Sequence, residues 1–224
     1  MNYSHMNTRR IAAFIVGAIA SLDSVAHAQN LLTNPSFDLG SFVNRGDGFQ
    51  ILPNGSTAIS GWTVINDELA WGTIPNSALI APLSGLFFLD LQGDGVASAP
   101  YGGVTQSITT VAGQQYHLSF NLGTQQDTHP GPVAVSATAG GTTLPFSFNP
   151  GGTGSQWGEF GFDFTASSTS TAISIVGTQP STTAAYIGLD QVSVIVVPGP
   201  SSAGLFATGA IIVAIRRRHR ATNG

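Results

Sequence analysis

The sequence predicts an all-β protein: a jelly-roll β-sandwich of about nine antiparallel strands, preceded by a signal peptide and followed by a short hydrophobic helix. Three observations carry this reading. Apolar and polar residues alternate with the strand period of two through most of residues 29–197. Clusters of Gly, Pro, Asn and Asp interrupt that alternation at short intervals. No segment between the two ends sustains the i, i+3, i+4, i+7 apolar pattern of an amphipathic helix. Frequent short strands without helices favour two antiparallel sheets packed face to face. A fixed-period repeat is absent, which argues against a solenoid or propeller.

The elements follow in chain order. Residues 1–28 have the three parts of a signal peptide. Arg9 and Arg10 form a positive start, Ile11–Ala20 is an uncharged apolar run, and Ala26-His27-Ala28 is a small-x-small cleavage pattern. The mature chain then begins at Gln29. Met6 is an alternative start, since Met6–Arg10 already makes a normal positive region. Ten apolar residues reach about 15 Å as helix, half of the roughly 30 Å of bilayer hydrocarbon, so a permanent anchor is disfavoured.

Residues 29–197 form one domain of ordinary size. Its clearest strands are Gln115–Leu122, where Tyr116, Leu118, Phe120 and Leu122 alternate with polar residues, and Trp157–Phe164, where Phe160, Phe162 and Phe164 oppose Glu159, Gly161 and Asp163. Further strands are expected at Thr57–Ile65, Leu86–Leu91, Val104–Thr109, Val133–Thr138, Leu144–Phe148, Ala172–Gly177 and Tyr186–Val197. Turns are expected at Gln92–Gly95, Ala112-Gly113, Gly140-Gly141, Pro150–Gly152 and Gln179–Ser181.

Residues 198–224 form a tail of three parts. Val197-Pro198-Gly199-Pro200 breaks regular structure, Ser201–Ile215 is uncharged, and Arg216, Arg217, Arg218 and Arg220 close the chain. Fifteen helical residues span about 22 Å, short for a stable crossing. The arginines would keep that end cytoplasmic and the domain outside. A short, hinged, arginine-ended segment suits transient inner-membrane insertion followed by cutting.

Composition removes whole classes of function. The chain has no Lys, and six of its seven Arg lie in the end segments, so residues 29–197 hold Arg45 against ten Asp and Glu. A domain with a charge near −9 and one cation cannot neutralise a phosphate backbone, which excludes nucleic acid. The absence of Cys removes thiol catalysis, Cys-based metal sites and disulfides.

Little in the domain points to catalysis, and no catalytic residue is assigned. His117 and His129 are its only histidines. His117 falls on the polar phase of its strand, and Asp127-x-His129 is too few ligands for a catalytic zinc. The nucleophile elbow Gly-x-Ser-x-Gly is missing. Glu159 and Asp163 share a strand face but stand about 13 Å apart along it, outside the roughly 5–9.5 Å of glycosidase pairs. Among the aromatics, Trp62 reads as core. Trp71 lies in a less regular segment beside Asp67 and Glu68 and is the candidate for stacking on a sugar ring, with a packed loop anchor as the alternative.

Two resemblances extend this reading. The tail of residues 197–220 resembles the PEP-CTERM sorting signal processed by exosortases of Gram-negative bacteria. Val197, Pro198 and Pro200, the apolar segment and Arg216, Arg217 and Arg218 match that pattern, with Gly199 in place of the usual Glu. This implies an exosortase-type partner, removal near Pro198–Pro200 and delivery to the cell envelope or outside.

Within the domain, an ordered set of strings runs from Asn30–Asp38 and Ser60–Val64 through Leu89–Gly93, Gly103–Ile108 and Tyr116–Phe120 to Ile187–Val194. Together they resemble the choice-of-anchor C and DUF642-type domains, related to galactose-binding-like jelly rolls. That likeness implies a non-enzymatic domain that binds or organises polysaccharide or extracellular matrix. It also implies a structural Ca²⁺ held by Asp38 and Asp190, with Gln191 where many relatives carry a second acid. The alternative is that Asp38 forms a turn and Asp190 pairs with a neighbour. Two other readings remain open on the residues: a purely structural or adhesive surface protein, and a secreted hydrolase with an unrecognised site.

Overall fold

A computed structural model describes residues 29–94, 98–179 and 186–199. The expected signal peptide and most of the expected sorting tail lie outside the described residues, as do residues 95–97 and 180–185. The described chain is all-β, with no helix. Its strands are β1 (Phe49–Leu52), β2 (Thr63–Ile65), β3 (Leu69–Thr73), β4 (Phe87–Asp90), β5 (Gly103–Thr109), β6 (Gln115–Gln125), β7 (Val133–Ala139), β8 (Thr142–Phe148), β9 (Ser155–Thr165), β10 (Ser170–Gly177) and β11 (Gly188–Val196).

They form two antiparallel sheets, six-stranded in the order β1-β3-β4-β11-β6-β9 and five-stranded in the order β2-β5-β10-β7-β8. Each of the nine expected strands has a counterpart. The expected Thr57–Ile65 is shorter, since only Thr63–Ile65 is strand and residues before it turn. Two strands, β1 and β3, were not expected. Both are short, and β3 reads Leu-Ala-Trp-Gly-Thr, buried on both faces, so it shows no alternation to detect.

Register explains the rest. Along β6, Tyr116, Leu118, Phe120 and Leu122 point between the sheets, packing with Leu89, Leu91, Val192 and Val194 of the same sheet and Val104, Val135, Ile173 and Ile175 of the other. The opposite phase of β6 faces outward and aligns Ser119 with Ser193 and Gly161, and Asn121 with Asp190 and Glu159.

The six-stranded sheet carries a second, smaller core on its outer face. Phe49, Ala70 and Phe88 are covered there by Ala78 and Ile80, which belong to the connection between β3 and β4. This connection, residues 74–86, is a strap crossing the outside of the sheet. Asn76 closes it by donating from Nδ2 to the carbonyls of Thr73 and Ile80 at 2.8 and 2.7 Å.

Candidate functional site

The two tryptophans nearest the N-terminus are core residues. Trp62 is 2% exposed and its indole N–H donates to the Asn34 carbonyl at 2.9 Å. Trp71 has no exposed surface, donates to the Phe37 carbonyl at 3.2 Å, and packs between Phe42 and Phe87. The expectation that Trp71 stacks on sugar is therefore corrected: a platform needs an open ring face, and β3 turns this ring inward. Both indoles instead clamp the backbone of residues 34–37 along the sandwich.

The third tryptophan, Trp157, is the one that reaches solvent. It stands on the outward phase of β9, opposite Gly123. Its ring lies over two glycines: a Cβ added at Gly123 would meet it at 2.5 Å, and one at Gly188 at 3.0 Å. Its N–H donates to the Ala81 carbonyl at 3.0 Å, tying the strap to β9. The sequence held the signal for this, because Trp157 shares the parity of Glu159, Gly161 and Asp163 rather than that of the inward phenylalanines.

Below Trp157 on the same outer face lies a polar groove of about 460 Å³. Its floor is formed by Ser119 and Asn121 of β6, Glu159 of β9 and Gln191 and Ser193 of β11; Ser84 of the strap and Asn30, Pro35 and Ser36 form its walls. A bulge between Asp190 and Ser193 re-aims β11 here, and Gln191 holds a left-handed φ of 49°. Asn30 secures the bulge, donating to the Val192 carbonyl at 3.0 Å and accepting from the Val194 N–H at 2.9 Å. Among the described residues, the side chains of Ser84, Ser119, Asn121, Glu159, Gln191 and Ser193 make no hydrogen bond to the protein.

Asp38 and Asp190 come together beside this groove, on either side of the strap. Asp190 accepts the N–H groups of Leu83 and Ser84 on Oδ2, at 2.9 and 3.0 Å, and its own neighbour Gln191 on Oδ1. Asp38 accepts Leu86 and Phe87 on Oδ1, at 2.8 and 3.1 Å, and the Ser36 hydroxyl on Oδ2. Burial pushes the Asp190 carboxyl up to about 7, against the pull of these N–H groups. As placed, the pair does not fit a Ca²⁺ site. The N–H groups of Leu83, Ser84 and Leu86 from the strap and of Phe87 from β4 supply the positive charge there, and an ion would meet the same ends of those dipoles.

The other acids have local tasks. Asp90 is buried beneath the second core, accepts the N–H groups of Gln92 and Ile187 at 3.0 Å each, and is pushed up to about 7 by burial. Asp47 and Asp94 both hold Arg45, and Asp47 also closes a turn on the Phe49 N–H. Asp163 pairs with His117 at 2.6 Å, which separates it from Glu159 in task as well as distance. Asp127 accepts the Gly154 N–H, and His129 packs edge-on against Tyr186, so they form no metal corner. No group of three or more His, Cys, Asp or Glu converges on a common point among the described residues. Val197 lies at the end of the sandwich, its N–H bonded to the Gln115 carbonyl; the tail arginines and Ala26 and Ala28 lie outside the described residues.

With the geometry in place, comparison with known families is decisive for one point. The profile described as "Protein of unknown function (DUF642)" matches residues 30–194. The chain belongs to the DUF642 family. A comparison with curated proteins finds no match. Among solved structures, this DUF642 chain is similar in outline to TmCBM61 in complex with β-1,4-galactotriose, at 16% identity and a TM-score of 0.48 over 76% of this chain and 100% of that one. A family 35 carbohydrate-binding module from Clostridium thermocellum gives 14% identity and a TM-score of 0.43 over 65% and 97%. A chain from Bacteroides thetaiotaomicron described as a "putative sugar binding protein" gives 13% and 0.44 over 75% and 100%. The DUF642 match includes Asn30, both strap-holding acids and the whole groove floor.

Proposed function

We propose that this DUF642 domain is a non-catalytic binding module that holds polysaccharide in the outer groove of its six-stranded sheet. The observation that carries the proposal is the set of unpartnered polar side chains on one concave surface. Hydroxyl, amide and carboxylate groups from β6, β9, β11 and the strap converge there with no intramolecular partner. Such a surface exchanges water for the hydroxyls of a sugar chain at little cost in lost internal bonds. Trp157, two residues from Glu159 on the same face, supplies an apolar edge beside it. Export and sorting complete the proposal. The leader of residues 1–28 directs the chain out, and the PEP-CTERM-like tail engages an exosortase-type enzyme in the inner membrane. The trimmed domain is then left at the cell envelope or in the extracellular matrix of a Gram-negative cell.

The test is retention of the purified protein on a panel of immobilised polysaccharides, with Asn121→Ala beside the wild type. A polysaccharide that retains the wild type and releases the variant, with equal melting temperatures, supports the proposal. Retention of neither protein on any polymer of the panel would remove it and favour a purely structural surface protein.

A further inference from the structure

The charge of the groove narrows its ligand. Of the residues lining it, Glu159 alone carries a formal charge, and it is exposed and without an ion pair. It stands opposite Asn121 on β6, and two residues along β9 the His117 ring lies over Gly161. Among the described residues, the groups that could balance an acidic sugar are already paired. Arg45, the single Arg or Lys among the described residues, is shared between Asp47 and Asp94, and the His117 imidazole is taken by Asp163. A uronate or sulfated polymer would meet an acidic domain without a single free guanidinium. A protonated amine instead brings three donors and a charge to an unpartnered carboxylate, while the neighbouring amides and hydroxyls remain for the sugar hydroxyls.

We infer that the groove selects an amino sugar, in a hexosamine polymer with free amines, and that Glu159 determines this choice. The inference rests on the reading of the groove as a glycan site. Titration calorimetry of the purified full chain with three hexamers tests it: glucosamine, N-acetylglucosamine and galacturonate, at pH 6 and low salt with EDTA present. The expected order is glucosamine at least tenfold tighter than N-acetylglucosamine, with no binding of galacturonate. Glu159→Gln should remove that tenfold advantage. Asp163→Asn, on the same strand face but outside the groove, should leave it unchanged. Equal affinity for the two hexosamines, an advantage that survives Glu159→Gln, or tighter binding of galacturonate would overturn the inference while leaving a glycan groove in place. A loss with Asp163→Asn equal to that with Glu159→Gln would also overturn it, since overall charge rather than the groove would then be choosing. Binding of none of the hexamers, together with no retention on the polysaccharide panel, would overturn the inference and the reading beneath it.

Discussion

The two outer faces of the sandwich are both polar but differ in chemistry and relief. On the five-stranded sheet the outward side chains are mostly Ser, Thr and Ala, and some of their hydroxyls pair with one another while Ser107, Thr109, Ser136 and Ser147 keep theirs free. Thr138 bonds Thr143 across β7 and β8 at 2.9 Å, and Ser174 donates to Thr105 across β10 and β5 at 2.9 Å. Thr105 in turn donates to the Ile173 carbonyl. On the six-stranded sheet the outward residues are more varied, a strap covers the face over β1, β3 and β4, and beyond it His117 pairs with Asp163 while the groove side chains have no protein partner. A polar sheet face is thus not in itself a binding face. What distinguishes the groove is that the amides of Asn121 and Gln191 and the Glu159 carboxylate join its free hydroxyls, and that β11 bulges and the strap rises to give it walls.

The comparison can be broken most severely from inside. Trp71→Ala should cost about 3–5 kcal/mol, because a fully buried indole and its bond to Phe37 are lost together. Chemical denaturation checks it. Binding by the fraction that remains folded should be normal, which separates this tryptophan from the groove.

The next effect is one of pH. Asp90 and Asp190 both lie under the covered half of the outer face, with carboxyls pushed from an ordinary 3.8 up to about 7 by burial. Each therefore holds its proton more tightly folded than unfolded. Their contribution is complete below about pH 3.8 and is lost as pH rises toward 7, a fall on the order of a few kcal/mol. Asp47, held down by Arg45 at the surface, works weakly in the other sense. Denaturation at pH 5 and pH 8 should show the more stable protein at pH 5, and Asp190→Asn should flatten part of the difference.

A smaller change targets the strap alone. Gly85 has a left-handed φ of 68°, and a Cβ there would lie 1.9 Å from an Asp38 carboxylate oxygen. Gly85→Ala should cost about 1–3 kcal/mol through that strain. It should also weaken glycan retention, since Ser84 on the groove wall moves with the strap, whereas no variant of the five-stranded face should do so. The smallest expected effect is that of calcium. Melting curves with millimolar Ca²⁺ and with chelator should superimpose, because Asp38 and Asp190 are already satisfied by strap N–H groups. A rise in melting temperature with the ion, lost in Asp38→Asn, would restore the metal to this place.

Much of the fold could be read from parity alone. Tyr116, Leu118, Phe120 and Leu122 announce β6, and Phe160, Phe162 and Phe164 announce β9, because a strand buried on one face must alternate. β3 was not legible for the complementary reason. The strap covers its outer side, so Ala70 and Gly72 are buried beside Trp71 and Leu69, and the segment reads as irregular. That same covering misled the reading of Trp71, whose acidic neighbours suggested exposure. Asp38 and Asp190 were singled out for a metal, and that they accept the N–H groups of residues 83–87 follows from where that segment runs, which no local spacing encodes. Glu159 was visible only as half of a failed catalytic pair. Its setting in the groove depends on β6 and β11 lying beside β9, an order set by connections far apart in the chain.

The central claim, that the groove and not the other polar face holds sugar, is tested most directly by two double variants measured side by side on a retaining polysaccharide. Ser119→Ala with Asn121→Ala removes hydrogen-bonding groups from the groove floor, and Thr138→Val with Ser174→Ala removes them from the five-stranded face. The account predicts at least a tenfold loss of affinity for the first pair, wild-type affinity for the second, and melting temperatures for the groove pair matching the wild type. Wild-type affinity in the groove pair, or an equal loss in both, would contradict it.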